Sequence, residues 1–182
     1  MKKVAVHLVT GFEEIEAVTI IDVLRRANLE VTTVSMTASN EVTGAHQIPV
    51  IADVLFSEVE YSNIDALVLP GGMPGAKNLD EHEGLQQQIT QFNHEQKLLG
   101  AICAAPLVFG HLGILKGKKA VCYPGFESEL HGAEILKSPT AVSGNIVTGT
   151  GVGTALKFAL QLVEELAGKE KSKQLAKAVL VE

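Results

Sequence analysis

The stretch Gly100-Ala101-Ile102-Cys103-Ala104-Ala105-Pro106 holds the clearest chemical potential in the sequence. An apolar run leads into a cysteine, two alanines follow, and the proline suits an early helix position. This is the pattern of a nucleophile elbow, a strand–turn–helix whose small neighbours permit a tight turn and hold one side chain up into a cleft. A thiol there stands at a helix N-terminus, where the dipole favours thiolate. The Ala104 backbone N–H would face any oxyanion formed beside the sulfur. An average cysteine is simply a small buried hydrophobe, but strand-end position and small flanks favour the reactive reading. Cys122 has no such surroundings and reads as core.

Two further elements could serve that sulfur. In Leu69-Pro70-Gly71-Gly72-Met73-Pro74-Gly75, glycines after a strand let the backbone approach a ligand and turn N–H groups into a cleft. The Lys-Ser/Thr of a P-loop is missing. Beside a strand-end cysteine, Gly71 and Gly72 read as the other half of an oxyanion hole. Glu16 lies within about 40° of Ile20, Val23 and Ala27 on a helix turning ~100° per residue, whereas Glu14 points nearly the opposite way. A carboxyl starting a buried stripe can stay protonated and donate to a thiolate. Ionised, it would raise the thiol pKa instead, and ordinary first-turn decoration is the plain alternative.

The remaining motifs carry less. Gly149-Thr150-Gly151-Val152-Gly153-Thr154 fits a dinucleotide fingerprint poorly, because its sixth position is Thr154 and too little chain follows for the acidic strand end. A turn that brings the last long helix against the sheet suffices. The histidines are His7, His46, His82, His94, His111 and His131. None forms HExxH and the cysteines form no CxxC, so no metal site is expected. His7 reads as core, His82 and His94 as surface, and His46 alone is placed near the cleft.

The elements that must position these residues alternate between strand-like and helix-like patterns. Strands are expected over 3–9, 30–36, 65–69, 98–102 and 119–122, with a short one near Val50-Ile51. Gly144-Asn145 between 139–143 and 146–148 predicts a hairpin. Helices are expected over 13–27, 84–96, 104–112, 154–167 and 169–179. Such alternation implies right-handed crossovers and a flavodoxin-like, doubly wound α/β fold, its mostly parallel sheet flanked by helices on both faces. Ligands then bind beyond the carboxyl ends of the strands, which directs attention to 10–12, 70–72, 103–105 and 149–153.

Composition bounds the class. A length of 182 residues with 46% apolar content supports one domain, 1–182, with a sizeable core. Aromatics are only 4% with no Trp, so the core is aliphatic, as a buried parallel sheet requires. Fifteen basic against 21 acidic residues, a net charge of −6, argue against nucleic acid as partner. Two cysteines make no disulfide framework and read as cytosolic thiols. The apolar run after Met1-Lys2-Lys3 is broken by His7 and lacks a small-residue cleavage site, and no stretch approaches ~18 apolar residues. No membrane association is expected, and the location is cytoplasmic.

Glu13-Glu14-Ile15-Glu16-Ala17, Leu69-Pro70-Gly71-Gly72 and Ala101-Ile102-Cys103-Ala104-Ala105-Pro106, in that order, together resemble the ThiJ/PfpI superfamily, in the branch of the parkinsonism-associated protein deglycase. The likeness covers essentially the whole chain. It implies a flavodoxin-like homodimer with an oxidation-prone cysteine at Cys103, a protonated glutamate at Glu16, and oxyanion-holding amides at Gly72 and Ala104. Some members carry a histidine where this chain has Tyr123, and the protease-like branch has one at the position of Ala104, so peptide hydrolysis is not expected. His46 matches a position near the pocket that could bind an anionic or carbonyl substrate.

The resemblance implies a cofactor-free enzyme acting on small reactive carbonyls, glyoxalase-like or deglycase-like, with Cys103 as nucleophile and Glu16 as proton shuttle. An alternative it also implies is a non-enzymatic redox-sensing or chaperone-like protein using an oxidisable Cys103. A role in thiazole or thiamine metabolism follows only from the family's naming. Apolar residues on more than one face of helix 13–27 (Ile15, Val18 and Ile21 against Ile20 and Val23) also suggest a self-association surface.

Overall fold

The structure is a computed structural model that describes residues 1–181. In chain order it contains β1 (Lys3–Leu8), α1 (Glu14–Arg26), β2 (Glu30–Ser35), β3 (Glu41–Thr43), β4 (Pro49–Ile51), β5 (Val54–Leu55) and β6 (Ala66–Leu69). There follow α2 (Gly75–Asp80), α3 (Glu83–His94), β7 (Leu98–Ile102), α4 (Pro106–His111), β8 (Lys119–Ala120) and β9 (Glu134–Ile135). The chain closes with β10 (Thr140–Ser143), β11 (Ile146–Gly149), α5 (Ala155–Ala167) and α6 (Lys169–Ala178).

Seven strands form the main sheet in the order β10-β11-β7-β6-β1-β2-β5, parallel throughout except for the β10–β11 hairpin. This is the expected doubly wound arrangement. After β1 the chain steps outward to β2, then crosses back to β6 on the other side of β1. The crevice at that reversal is where such sheets bind ligands.

Strand β1 shows why the pattern folds this way. Its apolar run is buried on both faces: Val4, Val6 and Leu8 join Ile20, Val23 and Leu24 of α1 and Phe158 and Leu162 of α5. Ala5, on the opposite face, belongs with Leu67, Leu85, Ile89, Phe92 and Phe109. Each fully buried Leu, Ile or Phe contributes about 1.5–3 kcal/mol, so two such layers are the main source of stability. Helix α1 has Glu14 and Glu16 in its first turn and Arg25 and Arg26 in its last, complementing the dipole. Asn28, at φ 62, then turns the chain into β2.

Two boundaries differ from expectation. The strand over 119–122 shrinks to Lys119–Ala120 and pairs with β9 outside the main sheet. Beyond Ala120 the amides are drawn inward, Val121 N–H to Thr148 Oγ1 and Tyr123 N–H to the Cys103 carbonyl. The helix expected from Ala104 starts only at Pro106, because Cys103 to Ala105 form the turn. Among the described residues no helix is long and apolar enough to cross a membrane.

Candidate active site

Four loops at the carboxyl ends of parallel strands meet at one point. Cys103 directly follows β7 and takes φ 65, a left-handed conformation that costs an L-residue about 1–2 kcal/mol. Two backbone bonds hold it there: its N–H donates to the Gly149 carbonyl of β11 at 3.0 Å, and its own carbonyl accepts from Tyr123 N–H at 2.8 Å. The residue is 9% exposed. So little of it meets solvent that bulk water cannot solvate the sulfur well.

Glu16 comes to the same point from the first turn of α1 and is fully buried. Gly71 N–H donates to its Oε2 at 2.8 Å, and Oε1 has no hydrogen-bond partner among the described residues. Only glycine fits at position 71, because a Cβ there would lie 2.5 Å from Cys103 Cβ and 2.8 Å from Glu16 Oε2. The loop after β6 is therefore pressed against both side chains. On the far side Tyr123 and Gly151 flank the sulfur. A Cβ on Gly151 would meet the Tyr123 ring at 3.1 Å and Cys103 Sγ at 4.0 Å.

The electrostatics couple Cys103 and Glu16. Burial raises the Glu16 carboxyl to about 7, against the pull of Gly71 N–H and the Cys103 thiol. Burial, and next the Glu16 charge, push Cys103 up to about 12, while the backbone N–H groups of Gly72 and Ala104 pull it down. The expectation of a thiol held low by a helix end is thus corrected. Helix α4 begins three residues past Cys103, and dipole effects fade within a turn. An adjacent carboxylate outweighs what remains. Moving the proton from sulfur to Glu16 removes that carboxylate charge, so thiolate and neutral carboxyl form together. The arrangement can present one sulfur nucleophile, one buried proton carrier and two amide donors within one small space.

Of the residues singled out by sequence, Cys103, Glu16, Gly71, Gly72 and Ala104 are brought together. His46 is not joined to them. Its exposed ring instead bonds Glu14 Oε2 through Nδ1 at 2.9 Å and lies 3.6 Å from Glu13 Oε2. Glu14, expected to face away from the buried stripe, does so but is itself buried, accepting N–H groups of His46 and Ile48 from the segment joining β3 and β4. The particular roles of the Gly149 carbonyl and Gly151 went unread, although 149–153 was one of the strand ends expected to line the cleft, while Tyr123 lies beside Cys103 where the resemblance matched it to a histidine of some members. His7 is core as expected, fully buried with Nε2 2.8 Å from the Tyr61 hydroxyl. Cys122 is buried too.

Known proteins are similar to this chain in sequence and in fold. The DJ-1/PfpI family pattern matches residues 2–165. Protein DJ-1 homolog B of Arabidopsis thaliana is 42% identical over 180 residues, covering 98% of this chain, which spans only 41% of that protein's length. Glutathione-independent glyoxalase DJR-1.2 of Caenorhabditis elegans is 32% identical over 167 residues, 91% of this chain and 88% of its own. The structure of oxidised Toxoplasma gondii DJ-1 superimposes with a TM-score of 0.95 at 39% identity, covering 100% of this chain and 99% of that one. The chain belongs to the DJ-1/PfpI family.

Proposed function

We propose that the chain is a cysteine-dependent, cofactor-free enzyme acting on small 2-oxoaldehydes, converting them to 2-hydroxy acids. The observation that carries this reading is the buried Glu16 carboxyl, with one oxygen unpartnered, beside a Cys103 sulfur faced by the Gly72 and Ala104 amides. Cys103 gives its proton to Glu16 and attacks the aldehyde carbon. The carbonyl oxygen becomes an oxyanion held by the two amides and takes the proton back from Glu16 to give a hemithioacetal. Glu16 carboxylate then removes the proton from the former aldehyde carbon, giving an enediolate, the hydroxyl proton on that carbon passes to the neighbouring oxygen, and Glu16 returns its proton to the neighbouring carbon. The product is a thioester of the 2-hydroxy acid, and water hydrolyses it to free the thiol. The name of the C. elegans relative, a glutathione-independent glyoxalase, supports this substrate class. Deglycation of early carbonyl adducts would use the same sulfur and proton carrier.

Turnover of methylglyoxal without added metal, compared with Cys103→Ala, tests the reading. Wild-type turnover lost in the variant supports it, and negligible wild-type turnover rejects it. A second reading is favoured by the same two amides, which could hold a sulfinate, and by the oxidised state of the Toxoplasma relative. In that case Cys103 is a redox sensor. Peroxide titration followed by intact mass should then show selective oxidation of Cys103 over Cys122.

The free thiols suit a reducing, cytoplasmic setting. We take the functional unit to be a homodimer of single-domain chains. Ile15 and Val18 of α1 are 57% and 52% exposed, and Val18 borders a hollow of about 500 Å³ shared with Val23, Leu156 and Val179. A monomer in sedimentation at micromolar concentration would reject the dimer.

A further inference from the structure

A second cluster lies on the helix α4 side of the molecule and is not used by the chemistry above. His111 ends α4, and Glu129 and His131 follow from the short 3₁₀ turn Glu127–Glu129. One ligand atom from each of His111, Glu129 and His131 lies within 4.8 Å of the others. Ligands around a tetrahedral ion at ~2.0–2.1 Å are about 3.3 Å apart, so small rotamer changes would close this triangle. We propose that His111, His131 and Glu129 form a binding site for a divalent transition ion of the zinc class, with its fourth position open to solvent.

Four observations support the assignment. Asp80 Oδ2 of α2 lies 2.8 Å from His111 Nδ1. A carboxylate there holds the proton on Nδ1, as partners of metal-bound histidines do, so that an ion displacing the Nε2 proton would find that nitrogen already oriented. Nε2 in turn lies 2.9 Å from Glu129 Oε2, a contact that an ion would replace with a bond to each. The His131 side chain makes no hydrogen bond among the described residues, yet its ring sits 5.3 Å from that of His111, tilted by 34°. Backbone packing holds the turn in place: Gly110, just before His111, lets the Glu129 backbone lie directly on α4, where a Cβ would collide with the Glu129 carbonyl oxygen.

The other His–carboxylate group, Glu13, Glu14 and His46, makes a useful contrast. Glu14 is already engaged by the His46 N–H and ring and by the Ile48 N–H, so its oxygens are not free to ligate. Two imidazoles and one carboxylate with an open position match a zinc-class ion better than calcium or magnesium, which prefer all-oxygen sites.

The test is titration of the full chain with Zn²⁺ by calorimetry and with Co²⁺ by visible absorption. Wild type and Cys103→Ser should each bind one equivalent, with the absorption of four- or five-coordinate Co²⁺. His131→Ala, an exposed substitution that should not disturb folding, should weaken binding at least tenfold and leave methylglyoxal turnover unchanged. Asp80→Asn should weaken it about tenfold while keeping the Co²⁺ spectrum. Binding that does not saturate, that survives His131→Ala unchanged, or that disappears in Cys103→Ser would overturn the site.

Discussion

Glu14 and Glu16 stand two residues apart in the first turn of α1, both buried, and their carboxyls are shifted in opposite directions. Burial pushes both upward. For Glu14 the His46 ring, its own N–H and the N–H groups of His46 and Ile48 reverse that push and hold it below the ordinary carboxylate value. Glu16 has one fixed donor, Gly71 N–H, and a neighbouring thiol, and it rises to about 7. The number of donors, more than depth, decides which acid titrates higher. One is a structural anion that ties the segment between β3 and β4 to the helix. The other is left one hydrogen bond short at the point where the sulfur sits.

The largest way to break this contrast is Glu16→Gln. It keeps a similar shape and a donor but cannot exchange a proton, so carbonyl turnover should fall by about 10²–10⁴-fold. Steady-state kinetics at saturating methylglyoxal would show it, and a loss under tenfold would mean Glu16 is not the proton carrier. Glu14→Gln should leave turnover within a few-fold.

Stability against pH gives the next effect. The folded chain keeps a proton on Glu16 that the unfolded chain, titrating near 4.5, has already released. That contribution is therefore fully present below about pH 4.5 and declines as pH rises through about 7, by ~3 kcal/mol. Urea unfolding across this window should show Glu16→Gln losing less stability than wild type on the way up. Glu14 runs the other way, its contribution present above the unfolded value and lost as pH falls.

These contrasts mark what the sequence disclosed. Cys103 and the Pro70-Gly71-Gly72 loop were legible because strand ends and small residues constrain the backbone locally. Glu16 was legible because its stripe is fixed by helical periodicity. The environment of Glu14 was not, since a wheel gives the direction of a side chain and not what covers it. What covers Glu14 comes from His46 and Ile48, more than thirty residues later. The strand over 119–122 failed for a related reason: a short apolar run cannot reveal that Val121 and Tyr123 spend their amides on Thr148 and Cys103.

A smaller effect sharpens the coupling itself. Because the Glu16 charge raises the Cys103 thiol, Glu16→Gln should move the midpoint of its iodoacetamide alkylation profile down by about one unit or more, the scale of one charge-assisted interaction. An unmoved profile would show the two groups to be independent. Smallest of all, Glu14→Gln should lower the melting temperature by about 2–4 °C, without shifting that profile. A shift there would mean the two acids are not separate after all.

The backbone bond from Cys103 N–H to the Gly149 carbonyl has a consequence for the order in which the protein is made. Cys103 leaves the ribosome well before β11, and without Gly149 nothing from that strand holds its left-handed turn. Until β11 docks beside β7, the thiol belongs to an ordinary flexible chain and titrates as a free cysteine, near 8.5. Oxidants or aldehydes meeting a half-made chain would therefore find its two cysteines nearly alike. The surroundings that set Cys103 apart from Cys122 are complete only when β11, the sixth parallel strand, joins the sheet.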